Sequence, residues 1–355
     1  MSILKTPVPG ASTLSGTSTL SGARLRRGTL ALVAVGAIAV TGLLETFTPV
    51  SGWAGSVLMA AAVYLVGQTV ISFLVEGRRH ALDRLVTTAV YAAFALAMLP
   101  LGAVLFKVVQ RGGGLINGTF LTHSLRNIGP TDTGGGVYHG IVGTLEQAAL
   151  ASLISIPLAM LTAIYLVEYG RGWFARLVTF FVDVMTGVPS IVAGLFIFTV
   201  WVLMLGLNRS GFAATLALTI LMIPIVVRST EEMLKLVPDS LREASYALGV
   251  PKWRTILKVV VPTAVPGIVT GIMLGVARVM GETAPLLLLN GFTSSINFDP
   301  FSGPQAALPL IVWDQAGRPN PQSITRAWGS ALVLIVMVLL LNLGARALAR
   351  LSRTR

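Results

Sequence analysis

The chain has 355 residues, of which 54% are hydrophobic and 11% charged, and its mean hydropathy of +0.81 excludes an ordinary water-soluble domain. It contains no cysteine, so disulfides and thiolate metal sites are excluded as well. The net charge of +12 calls for either a nucleic-acid surface or a membrane-orientation signal, and the apolar runs decide between them.

Crossing about 30 Å of hydrocarbon at about 1.5 Å per residue takes roughly 17–25 apolar residues. Candidate spans lie at 29–44 (short), 54–75, 85–106, 148–167, 177–207, 212–227, 267–291 and 328–345. Eight spans place both termini on one side. With a cytoplasmic N-terminus, nineteen of the 26 Lys and Arg residues fall inside, six fall outside, and Arg278 is left in the membrane. The positive charge therefore reads as orientation spread over several loops, with both termini cytoplasmic, and no nucleic acid is expected.

Residues 1–27, rich in Ser, Thr and Gly, read as a disordered cytoplasmic tail. The run that follows has basic residues before an apolar stretch, as a signal peptide does. No A-x-A-like cleavage site follows it, so it reads as an uncleaved span and 28–84 as an N-terminal hairpin. Between Phe106 and Glu146 the segments "RGGGLINGT" and "GPTDTGGG" read as flexible loop, because a P-loop ends in Gly-Lys-Ser/Thr and the chain has no Gly-Lys pair. His80, His123 and His139 are read as polar-connection residues without clustering, so no metal site is expected.

The run 177–207 is longer than one span and holds Asp183 and Pro189. It is either a proline-kinked helix within the bundle or an interfacial stretch followed by a straight span from Pro189. The connection 292–326, with five prolines, reads as an irregular extracytoplasmic loop.

The cytoplasmic loop 229–265 carries the most punctuated stretch, "SLREASYALGVPKWRTILKVVVP". Ser240 and Glu243 match the S-x-x-E capping box, Gly249 suits a left-handed C-terminal cap, and Pro251 suits the start of a second helix. Two short helices at a sharp angle would either dock a partner or lie on membrane lipid.

Glu243-Ala244-Ser245, three residues, Gly249, nine residues, then Val259-x-Val261-Pro262 resembles the EAA loop of ABC-importer permeases. Serine replaces the third alanine, and valines replace the usual isoleucine and leucine. "YLVEYGRG" (165–172), "PSIVAGLFIF" (189–198), "VVRSTEEMLKLVPDSLREASYALGVPKWRTI" (226–256) and "GVARVMGETAPLLLL" (275–289) are similar to the PstA-type permeases of phosphate importers.

The resemblance implies an all-α, six-span core over 85–350, with the first two spans outside it. It also implies a second related permease chain, two copies of a cytoplasmic ATPase docked through the EAA loop, and an extracytoplasmic phosphate-binding protein. No catalytic residue, cofactor or metal is implied, and ATP hydrolysis falls to the separate ATPase.

Arg278 is the twelfth residue of a span counted from Gly267, about 18 Å in, and Glu282 follows one turn on. The two either pair with each other or line a path. In the second case Arg278 offers its guanidinium fork to phosphate oxygens and Glu282 accepts from a protonated phosphate oxygen, which sulfate lacks. Arg228 either guards the cytoplasmic exit or snorkels at a helix end. Glu231 and Glu232 read as solvated near Lys235.

A permease for another oxyanion such as molybdate shares the coupling motif. A secondary transporter would carry several intramembrane carboxylates. An enzyme acting on phosphorylated lipid carriers would need convergent acid/base or metal-binding groups, and none converge here.

Overall fold

The computed structural model describes residues 27–45 and 53–351, so the tail expected over 1–27 lies outside them up to Arg27. Among the described residues every regular element is helical. Six helices are long and apolar enough to cross a membrane, and one bent pair makes a seventh crossing if its halves count together. The chain is a polytopic helical membrane protein. It divides into two compact units, one through Ala103 and one from Val104.

The first unit holds α1 (Arg27–Glu45), α2 (Trp53–Glu76) and the beginning of α3 (Arg78–Gly112). The apolar part of α1, Ala31–Glu45, is shorter than the other candidate spans, as its run in the sequence is. Gly77, at φ 84°, lets α2 turn directly into α3. Across that turn Gln68 donates to Thr88 Oγ1 at 2.7 Å, and Arg84 pairs with the buried Glu76 at 2.7 Å.

The second unit begins with the rest of α3 and a short α4 (Gly118–Thr122), capped by the Asn117 side chain accepting from the Phe120 amide at 2.7 Å. Next come α5 (Tyr138–Ile164), α6 (Gly172–Gly187), α7 (Ser190–Ile197) and α8 (Gly211–Lys235). They are followed by α9 (Asp239–Ala247), α10 (Lys252–Thr255), α11 (Val261–Met280) and α12 (Ala284–Leu289), then by α13 (Leu308–Ala316) and α14 (Pro321–Leu351). Helix α8 is the centre, with 67% of its most apolar window buried against α5, α7 and α11. Small residues make this closeness possible. A side chain at Gly267 would overlap Met233, one at Gly271 would overlap Ser229, and one at Gly275 would reach 3.2 Å from Val226.

Several expectations need correcting. His80 lies in α3 and His139 in α5, where it is buried, so only His123 sits in a connection. Helix α5 starts ten residues before the expected span because Tyr138 to Thr144 pack under the 292–307 connection. That connection is ordered by its polar residues. The fully buried Gln305 accepts from Gln147 Nε2 at 2.9 Å, donates to the Glu146 carboxylate, and gives its amide to Asn290 Oδ1 at 2.9 Å. The region expected to be irregular also contains the buried helix α13.

The run 177–207 is broken. Helix α6 meets the helix from Ser190 at 106°, with Pro189 in extended conformation at the junction. Helix α6 exposes Trp173, Phe174, Phe180 and Phe181, as an interfacial helix would, and a new helix starts after Pro189. The break at Pro189 is common to both alternatives, and the helix after it passes into a π-helical turn at Phe198–Met204.

Candidate functional site

The close glycine contacts fix the register of α11 against α8: four residues forward on α11 meet four residues back on α8, from Gly267 with Met233 to Gly275 with Met222 and Val226. Extended by less than a turn, this register sets Arg278 level with Met222, the twelfth of the 25 residues of α8. Arg278 therefore lies near mid-span, although its position along its own helix differs from that expected. Helical structure begins at Lys252, so Arg278 sits in the last turn of α11 rather than in the middle of a span.

The helix ends at Gly281, and Glu282 lies in the break before α12 rather than one helical turn on. An interrupted helix at this depth needs protein or a cavity beside it to satisfy its freed backbone groups. Here the Glu282 amide donates to the Val279 carbonyl at 3.1 Å, and the following turn stacks on α7, where a side chain at Gly194 would come within 2.8 Å of Pro285 Cα. Arg278 Nε stands 3.7 Å from Glu282 Oε1, too far for a hydrogen bond. The guanidinium is 63% exposed within the chain and the carboxylate 17%. No hydrogen bond to another described residue engages either side chain, so the pair is loose and its donors remain available.

Arg228 is differently placed. It donates to the Asp183 carboxylate on α6 and to Glu231 Oε2 at 2.7 Å, while Lys235 reaches Glu231 Oε1 at 2.7 Å. Glu231 is buried, which corrects its reading as a solvated residue: an i−3 arginine and an i+4 lysine hold it from both sides. The guanidinium is committed to two carboxylates, so Arg228 does more than snorkel at a helix end.

In the 229–265 loop the capping box does not form. Pro238, not Ser240, precedes α9, with φ −60° and ψ 137°, and no side chain caps the helix. Ser240 falls in the first turn beside Asp239, whose charge suits a helix N-terminus. Proline, with φ already fixed, delivers the chain into the helix two residues early. Gly249 has φ 74°, the left-handed conformation expected after a helix C-terminus. Ser245 is buried and shares a 2.8 Å hydrogen bond with Thr255, whereas Glu243 and Ala244 are exposed. The second short helix of the expected pair, α10, runs on through a π-helical turn (Ile256–Val260) into α11, so the loop ends as the foot of a spanning helix.

The outer surface of this foot is apolar: Leu248 is 83% exposed and Trp253 54%, with Leu241, Tyr246 and Leu257 also exposed. These apolar side chains alternate with the exposed Glu243, Lys252 and Arg254. Sequence reasoning missed what fastens the foot. Arg242 donates through Nε and Nη2 to Glu168 Oε1 at 3.1 and 2.9 Å, and to the Val237 and Leu234 carbonyls at 2.6 and 3.0 Å. Glu168 lies in "YLVEYGRG", whose similarity to known permeases was the available signal.

Comparisons with known proteins show the family. Residues 155–355 match the model of the binding-protein-dependent transport system inner membrane component family. The phosphate transport system permease protein PstA 1 of Mycobacterium tuberculosis is 50% identical over 279 residues, covering 78% of this chain and 91% of that protein. The phosphate transport system permease protein PstA of Yersinia pestis is 42% identical over 250 residues, covering 69% and 82%. Among solved structures, a bacterial ABC transporter involved in import of the acidic polysaccharide alginate aligns over 76% of this chain and 96% of that one. Its TM-score is 0.52 at 14% identity, a likeness of fold. The chain belongs to the binding-protein-dependent transport system inner-membrane components and, within them, to the PstA-type permeases.

Proposed function

We propose that this chain is the permease subunit of an ATP-driven importer of inorganic phosphate and forms one half of the translocation path. The observation that carries this reading is the loose Arg278–Glu282 pair at a helix break near mid-span, in a chain half-identical to a phosphate transport permease. A guanidinium presents paired donors matched to phosphate oxygens, and a carboxylate beside it accepts only from a protonated oxyanion. Arg228, already held by two carboxylates, stands on the same α8 nearer its Lys235 end and would take part at the exit through exchange of those partners.

In this reading the termini and the 229–265 loop face the cytoplasm of a bacterial cell, as the distribution of Lys and Arg supports. The exposed foot around Glu243, Ala244 and Gly249 would dock a cytoplasmic ATPase subunit. A second related permease would complete the path, a second ATPase copy would dock on it, and an extracytoplasmic binding protein would deliver phosphate. ATP hydrolysis belongs to the ATPase, so the purified single chain is expected to hydrolyse none.

The test is labelled phosphate uptake in phosphate-starved cells depleted of this chain, with sulfate and molybdate as controls. Selective loss of phosphate uptake, restored by the intact chain, is expected. Loss of molybdate uptake alone would reassign the substrate.

A further inference from the structure

The contacts of Glu168 reach beyond that assignment. Its carboxylate lies in the π-helical turn Tyr165–Tyr169 that ends α5, and its side chain is 5% exposed. Both Nε and Nη2 of Arg242, from α9, converge on one of its oxygens. The same guanidinium also donates to the carbonyls of Leu234 and Val237 at the end of α8 and reaches Asp239 at 3.1 Å. A second tie comes from Lys252, which donates to the Glu168 carbonyl and lies 4.7 Å over the Tyr169 ring. One residue at the end of α5 is thus gripped from both helices of the loop, on either side of Gly249.

We infer that Glu168 is a positioning residue that fastens the coupling loop to the end of α5, so that displacement of α9 by a docked ATPase moves α5 with it. A loop joined to the membrane helices only through its own chain would pass force to α8 and α11 alone. Helix α5 packs more extensively on α8 than any other helix does, and it would otherwise receive the motion second-hand. The buried, charge-assisted geometry makes the tie short and stiff, whereas the exposed ion pairs elsewhere on the chain are worth little. This inference rests on the reading of 229–265 as an ATPase-docking loop.

The experiment uses the assembled complex of both permeases and both ATPases in proteoliposomes, supplied with the binding protein. ATP hydrolysis, phosphate uptake and ATPase co-purification are measured together. Glu168→Ala is expected to retain the ATPase yet lower the phosphate imported per ATP by about tenfold or more, the effect of losing the charge-assisted contact with Arg242. Glu168→Gln, which keeps an oxygen where both donors converge, should recover most of that ratio. Lys252→Met, at an exposed position, should shift the ratio the same way without threatening the fold. If hydrolysis and uptake fall in parallel in all three variants, or the ratio does not change, the inference is overturned. A wild-type chain that captures no ATPase would overturn the docking reading along with it; normal capture with an unchanged ratio overturns the positioning role alone.

Discussion

Gly271 of α11 lies so close to Ser229 of α8 that any side chain at position 271 would overlap the serine hydroxyl. This contact, repeated a turn away at Gly267 and Gly275, sets the register that puts Arg278 opposite the middle of α8.

Gly271→Leu should therefore separate the two helices, whereas Gly275→Ala, whose Cβ would stand 3.2 Å from a Val226 methyl, should cost much less. Overpacking costs about 1–3 kcal/mol. Thermal unfolding in detergent should show a clear fall in Tm for the first variant and a much smaller one for the second. Equal falls would mean that the register is not held by these contacts.

The Ser245–Thr255 hydrogen bond gives a second prediction. Ser245→Ala restores the usual third residue of the EAA pattern but leaves the buried Thr255 hydroxyl only its long 3.4 Å contact with the Pro251 carbonyl, at a cost of about 1 kcal/mol. Adding Thr255→Val removes both partners and should return stability close to that of the wild type. ATPase co-purification should survive in both. If the double variant is less stable than the single one, the Thr255 contact with the Pro251 carbonyl is the one that matters.

Gly249→Ala tests the turn itself. At φ 74° a Cβ is strained by about 1–2 kcal/mol even though nothing crowds it. The variant should insert normally and bind the ATPase more weakly in a pull-down titration. Unchanged binding would mean that the turn geometry does not determine docking.

How much of this was legible beforehand follows from sequence distance. The long apolar helices and the Gly249 turn are local or periodic features and could be read directly. The Glu168–Arg242 grip spans 74 residues and the Gln147–Gln305 bond 158, distances over which a single sequence carries no pairing signal. Ser240 misled for a different reason: S-x-x-E is a valid cap pattern, but Pro238 two residues earlier had already set the backbone for entry. Pro189 announced a break in 177–207, while the 106° angle depends on packing that no local pattern encodes.

Arg228 supplies a fourth prediction. Arg228→Ala would leave the buried Glu231 with Lys235 alone and release Asp183, so α6 loses its charged tie to α8. Stability should fall by about 1–3 kcal/mol, less than for a fully buried pair because the guanidinium is partly exposed. Phosphate uptake should fall further than stability alone accounts for. Uptake that simply tracks the amount of folded protein would assign Arg228 a structural role only.

The most direct test is phosphate uptake by Arg278→Ala in the fully assembled complex, with insertion and ATPase capture checked on the same preparation. Losing a charge-assisted contact to the oxyanion should lower uptake by roughly 10- to 100-fold. Glu282→Gln in parallel should narrow the discrimination between phosphate and sulfate. Full-rate phosphate uptake by Arg278→Ala, in a complex of normal composition, would contradict the proposed path.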